Sequence, residues 1–227
     1  MENLKQLGRL IDVSTVKADI VMDEVDEMIS IVKKRHCICA SPMPWVTHYT
    51  IEQLSEVKDT VVTGVVSFPS GANSTSIKEM EAKELISMGC KELDMVMNIS
   101  AMKSGQYEYV EKDIQRVVYA ASGVPVKVIL ETSYLTDDEI QRASEIGVRA
   151  GATFIKTGTG WGAKPTTVET IKLIRSTIGN DAKIKAAGGV KDLATLLEMK
   201  EASCNRFGLG VRTANRIFAE IDDILKK

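Results

Sequence analysis

The feature that most restricts what this chain can fold into is an alternation. Between residues 8 and 227, short apolar runs rich in β-branched residues give way to longer stretches of helical periodicity, and they do so eight times. The runs are LIDVST (10–15), HCICAS (36–41), TVVTGVVSF (60–68), ELDMVMNI (92–99), VKVILET (126–132), TFIKTGT (153–159), KIKAAG (183–188) and RFGLG (206–210). Each is followed by a helical stretch, from DIVMDEVDEMISIVKK after the first to TANRIFAEIDDILKK after the last. Thr136 in TDDEI suits an N-cap, and Gly89, Gly123 and Gly151 suit helix ends. Eight strand-then-helix units in 227 residues predict an α/β protein, a closed parallel (β/α)8 TIM barrel, because an open doubly wound sheet usually has fewer strands. No linker or low-complexity stretch interrupts the series and the units are not close repeats, so residues 1–227 are expected to form a single domain.

Charge and cysteine usage narrow the partners. With 29 basic and 31 acidic side chains the formal net charge is -2, which supplies no bulk field for nucleic acid or an anionic membrane. An anion must therefore be caught locally. MENLKQLGRL has neither an apolar signal region nor an Arg-rich amphipathic character, and no apolar run approaches the roughly 18 residues of a membrane span. A cytoplasmic protein is expected. Cys37, Cys39, Cys90 and Cys204 are too few for a disulfide framework and lack zinc spacing, so they read as reduced core thiols. His36 and His48 lie among unrelated residues and carry no assigned role.

In a parallel barrel, chemistry gathers at the C-terminal ends of the strands. Asp12, Asp94, Glu131, Lys156 and Lys185 fall near those ends, on the first, fourth, fifth, sixth and seventh runs. Period-2 alternation puts Lys156 on one face with Phe154 and Gly158, and Lys185 on one face with Lys183 and Ala187. A buried unpaired ammonium is costly, so each lysine must be neutralised, paired or used. One lysine alone reads equally well as a structural ion-pair partner. Two on neighbouring strands, with carboxylates at similar heights, favour a site. A lysine desolvated beside another cation has a lowered pKa, and its neutral amine attacks carbonyls to form a Schiff base, an electron sink for making or breaking a carbon–carbon bond. Asp94 or Glu131 could move the protons, directly or through water.

Glycine-bearing turns follow the last three strands: Gly158, Thr159 and Gly160, then Gly188 and Gly189, then Gly208, Leu209 and Gly210. A lone glycine pair is usually a tight turn. Three such loops in succession, where barrels bind phosphate through backbone N–H groups and a helix N-terminus, predict an anion pocket. Cys39, at the end of the second strand, either faces that pocket or is a small buried apolar side chain.

Taken in order, LIDVSTVK, VVSFPSGANST, EAKELISMGCKELDMVMNISAMKSG, VKVILETSYLTDDEI, GATFIKTGTG and IKAAGGVKD resemble the deoxyribose-phosphate aldolases, class I aldolases with a (β/α)8 fold. The resemblance runs nearly the whole length of the chain. It implies that Lys156 forms the Schiff base, that Lys185 tunes its amine, that Asp94 handles protons with a bound water, and that Asp12 relays to the second lysine. The implied reaction is reversible cleavage of 2-deoxy-D-ribose 5-phosphate into D-glyceraldehyde 3-phosphate and acetaldehyde, without metal or organic cofactor, by a homo-oligomer, the dimer first.

Departures cluster around the presumed phosphate. Gly158 stands where the family usually has serine, and residues 208–211 read GLGV where serines are usual. Ser14 occupies a position often threonine, and Ser41 one often asparagine. Three readings follow: deoxyribose-phosphate aldolase; an aldolase of the same family with another sugar or aldehyde, not necessarily phosphorylated; and a catalytically silent sugar-phosphate binding protein.

Overall fold

Alternation along each strand sends one set of side chains outward to helices and the other into the barrel. The computed structural model describes residues 2–226. Its strands are β1 (Ile11–Thr15), β2 (Cys39–Pro42), β3 (Val61–Val66), β4 (Glu92–Val96), β5 (Val126–Ile129), β6 (Phe154–Lys156), β7 (Lys183–Ala187) and β8 (Arg206–Gly210). They pair in parallel in sequence order and β8 closes on β1, giving the expected (β/α)8 barrel. The long helices are α1 (Met22–Arg35), α2 (Thr47–Leu54), α3 (Thr75–Met88), α4 (Tyr107–Ala120), α5 (Asp137–Arg149), α6 (Val168–Ile178), α7 (Leu193–Glu201) and α8 (Val211–Leu225).

The apolar core lies between sheet and helices. Ile11, Val13, Leu93, Met95, Val126, Val128, Ile155, Ile184, Phe207 and Leu209 point outward into it. Helix α8 shows how the ring is held: Val211, Ala214, Ile217, Phe218 and Ile221 recur at helical spacing and are all buried. Each such large apolar side chain contributes about 1.5–3 kcal/mol through burial. The other strand face is polar. Asp12, Thr63, Asp94, Lys127, Lys156 and Lys185 are all buried inside the barrel.

Several predicted strands are shortened at one end because turn chemistry claims those residues. Residues 36–38 belong to the exit of α1, where His36 adopts φ 49° and the Cys37 N–H donates to Val32 O. Beyond β4, the Asn98 side chain accepts from the Ala101 N–H and opens a short helix, Ile99–Lys103. Glu131, expected inside the fifth strand, takes the left-handed φ of 55° and ends it. Thr136 caps α5 as expected, in a reciprocal capping box with Glu139. Gly89 caps α3 in a left-handed conformation. All four cysteines are free and buried.

Candidate active site

The register sets Lys156 directly beside Lys185, and Asp94 meets both. Its Oδ2 accepts from Lys156 Nζ at 2.6 Å and from Lys185 Nζ at 2.8 Å. Its Oδ1 accepts from Lys127 Nζ at 2.8 Å and from the Thr63 hydroxyl at 3.2 Å. Four donors fill the acceptor sites of one carboxylate. Burial alone would raise the Asp94 pKa, but Lys127, Lys156 and Lys185 together hold it well below the usual carboxylate range.

The net continues downward. Lys185 Nζ lies 2.5 Å from Asp12 Oδ2, and Arg206 donates to Asp12 Oδ1 and to Glu92. Lys127 reaches Glu92 at 2.6 Å and closes the circuit. Four cations, Lys127, Lys156, Lys185 and Arg206, thus share three anions, Asp12, Glu92 and Asp94. With one excess positive charge in a desolvated interior, the least stabilised cation gives up its proton most readily. That is Lys156, which meets a single carboxylate. Burial lowers its pKa from 10.5 to about 8, opposed by Asp94 and helped by the positive charges of Lys185 and Lys127. Lys185 is displaced the other way: burial disfavours its charge, but Asp12 and Asp94 outweigh it.

Above this net opens a cavity of about 220 Å³. Asp94, Lys156 and Lys185 line it together with Thr159, Gly160, Gly188, Gly189, Gly208, Leu209 and Gly210. Ten of the residues singled out in the sequence therefore surround one space. Gly208 sits in a close approach: a Cβ there would stand 3.3 Å from Lys185 Cε and 3.1 Å from Ala187 Cβ, crowding the lysine stem. Gly210 is the N-cap of α8 and has no side chain to satisfy the N–H groups of its first turn.

Four of the expected site residues lie elsewhere. Asp12 sits beneath the cavity as the partner of Lys185 and Arg206. Cys39 also turns into the barrel, but at the level of Asp12, where burial raises its thiol pKa; it does not line the cavity. Glu131 is turned from the lysines and accepts from the Thr159 N–H at 3.0 Å, the Thr159 hydroxyl and the Ser133 hydroxyl. A Cβ at Gly158 would lie 3.0 Å from Glu131 Oε1, so a hydroxyl there would meet that carboxylate, outside the cavity lining. Ser14 and Ser41, named above only as departures, do line the cavity.

Sequence reasoning passed over Lys127, Arg206, Glu92 and the wall residues Val16, Trp161 and Thr213. Lys127 carried a usable signal, an ammonium between Val126 and Val128 in a strand. Glu92 and Arg206 begin their strands, where a charge reads as solvated. Asp12, Cys39 and Glu92 come within 4.8 Å of one another. A cation could enter that group only by displacing the ammonium and guanidinium groups that already hold its carboxylates.

An amine near pKa 8 at the mouth of a (β/α)8 barrel, beside an ionised carboxylate and under a small cavity, is the equipment of a lysine-dependent barrel enzyme acting on carbonyl compounds. Comparison with known proteins narrows the class. A family model described as DeoC/LacD family aldolase matches residues 40–226. The deoxyribose-phosphate aldolase of Exiguobacterium sp. is 42% identical over 205 residues, spanning 89% of this chain and 92% of its own. The solved structure titled "QR15, an Aldolase" superposes with a TM-score of 0.88 at 34% identity, covering 100% of this chain and 97% of its own. The deoxyribose phosphate aldolase of Aeropyrum pernix, titled a unique tetramer, shares the fold with a TM-score of 0.88 at 24% identity over 99% of this chain and 94% of its own. The chain belongs to the DeoC/LacD family of aldolases.

Proposed function

We propose that the chain reversibly cleaves 2-deoxy-D-ribose 5-phosphate into D-glyceraldehyde 3-phosphate and acetaldehyde through a Schiff base on Lys156. The observation that carries this reading is the position of Lys156, at the floor of the cavity with its pKa lowered to about 8. Its neutral amine adds to C1 of the open-chain sugar, and loss of water leaves an iminium. Removal of the C3 hydroxyl proton then breaks C2–C3, and the electron pair flows into the iminium to give an enamine. Protonation at C2 and hydrolysis release acetaldehyde.

Asp94 is the only carboxylate among the described residues that line the cavity. In the resting state it is saturated by donors; it becomes a proton acceptor once iminium formation has left Lys156 with a single N–H. Lys185 stays charged and keeps the neighbouring amine partly unprotonated. Backbone N–H groups around Gly188, Gly189 and the first turn of α8 support a phosphate site without serine hydroxyls. Because Gly158 faces Glu131, only the 208–211 loop removes hydroxyl donors from the wall. Retained but weakened phosphate recognition is expected, with about ten- to a hundred-fold lower affinity for each lost bond to a charged group.

The substrate is a small molecule. A cytoplasmic homo-oligomer, the dimer first, fits two features. No described helix is long and apolar enough to cross a membrane, and Trp45, Ile77 and Met80 are exposed around α2 and α3. Sedimentation reads the oligomeric state.

Reductive trapping tests the chemistry. Borohydride added with acetaldehyde is expected to fix one adduct, located by peptide mass on Lys156; an adduct on another lysine with Lys156 unmodified refutes the assignment. A kcat/KM for the phosphorylated sugar no higher than for free 2-deoxyribose would replace this reading with an aldolase for a neutral acceptor.

A further inference from the structure

We propose that Trp161 is a specificity-determining residue: its indole forms a fixed wall that limits the width of the aldehyde half of the substrate, admitting unbranched hydroxyaldehydes and excluding branched ones. The proposal rests on the aldolase reading above and concerns the same cavity.

Trp161 lies on the loop between β6 and α6 and lines the cavity, yet 44% of it is exposed. A half-exposed indole on a loop would ordinarily be mobile and its N–H would bond to water. Here the Nε1–H donates to Val16 O at 2.6 Å, on the loop after β1. The ring meets Phe68, on the loop after β3, edge to face, with centroids 6.0 Å apart and planes at 87°. Two other loops thus converge on this one side chain.

Its backbone is fixed as well. The Trp161 N–H donates to Thr159 Oγ1 at 3.0 Å, and that hydroxyl donates in turn to Glu131. Glu131 also accepts the Thr159 N–H, so both donors of Thr159 end on one buried carboxylate. The loop is pressed onto this anchor: a Cβ at Gly162 would stand 2.2 Å from Ser133 Oγ. A relay therefore runs from Glu131 through Thr159 and Trp161 to Val16. This assigns Glu131 a positioning task in place of the proton-transfer task its sequence position suggested.

Lys156 lies at the floor, and Val190, Leu209 and Gly210 share the cavity lining with Trp161. The carbons of a substrate bound at Lys156 must extend into this space. A flat apolar ring offers contact to C–H edges and no room for a branch, so it selects by width rather than by hydrogen bonding.

Trp45, exposed and outside the cavity lining, is the only other tryptophan. In a Trp45→Phe background, emission reports on Trp161 alone and is expected to change when 2-deoxyribose 5-phosphate is added. Trp161→Ala is expected to raise KM for that sugar about ten-fold with kcat within about three-fold, and to raise the rate of acetaldehyde addition to isobutyraldehyde about ten-fold. Trp161→Phe should fall between, and Trp161→Leu substitutes if the alanine variant folds poorly. Glu131→Gln is expected to raise KM in the same direction with kcat retained. An active wild type whose Trp161→Ala variant has unchanged KM and an unchanged aldehyde preference, or loses kcat equally for all acceptors, overturns this proposal alone. A wild type inactive on 2-deoxyribose 5-phosphate overturns the aldolase reading beneath it.

Discussion

At the scale of single residues, one carboxylate arbitrates between two amines. Asp94 Oδ2 is shared by Lys156 and Lys185, but Lys185 has Asp12 as a second counter-ion. The same burial therefore leaves one lysine with a raised pKa and the other with its pKa lowered to about 8. Lys185→Leu removes a positive charge that lowers the Lys156 pKa, so that pKa rises. The ascending limb of kcat/KM against pH, expected near 8, should move to higher pH by about one unit as activity falls. Lys185→Arg should restore the limb. A folded, active Lys185→Leu enzyme with an unmoved limb would show that Lys185 does not tune the amine. The sequence argument reaches Lys156 because glycines follow it; Lys127, between Val126 and Val128, presents the same anomaly without that flag. Its importance comes from Asp94, 33 positions away, which no local pattern reveals.

At the scale of elements, helices α3 and α4 carry a second buried ion pair apart from the site. Lys78 Nζ lies 2.5 Å from Asp113 Oδ2 and also donates to Val96 O at the end of β4, while Thr75 donates to Asp113 Oδ1. Both side chains are fully buried. Lys78→Met strands the carboxylate and is expected to destabilise the protein by about 3–5 kcal/mol in urea unfolding, whereas Lys78→Met with Asp113→Leu should recover most of that loss. A double variant no more stable than the single one would mean that the pair itself, rather than the stranded charge, supplies the stability. Such pairs explain what was illegible. KDIQRV reads as a solvated helix stretch, and only the packing of α3 on α4 makes Asp113 interior. Strand existence was legible at all eight places because periodicity is local. The ends of β2, β4 and β5 were not, since a left-handed His36, an Asn98 cap and a left-handed Glu131 override β propensity there. Glycine spacing found the stretch of cavity wall that the loops after β6, β7 and β8 supply. It could not find Trp161, whose place is set by Val16 and Phe68 on other loops.

At the scale of the whole molecule, stability and activity draw on different layers. The apolar shell between sheet and helices holds the barrel closed, while its interior is an ionic net with one more cation than anions. Two pH dependences of the same sign follow, in different pH ranges. Asp12 and Asp94 have folded pKa values below 3.8, so the stability they confer is full above that value and is lost as pH falls through the lower folded values. Lys156 has a folded pKa near 8 against 10.5 unfolded, so between those values the unfolded chain holds a proton that the native chain has released, and stability rises with pH. Below 8 both states are protonated, and the native state carries the full cost of the buried ammonium. Lys156→Met removes that cost while filling the same space. It should abolish the Schiff base yet stabilise the protein by roughly 1–3 kcal/mol at neutral pH, an advantage that shrinks through the alkaline range as wild-type Lys156 becomes neutral. Urea unfolding of both proteins from acid to alkaline pH reads this directly, and the acid limbs should remain similar because Lys127 and Lys185 still hold Asp94. A Lys156→Met protein less stable than wild type at neutral pH, or one whose advantage does not change with pH, would show that the ammonium is a stabilising member of the net.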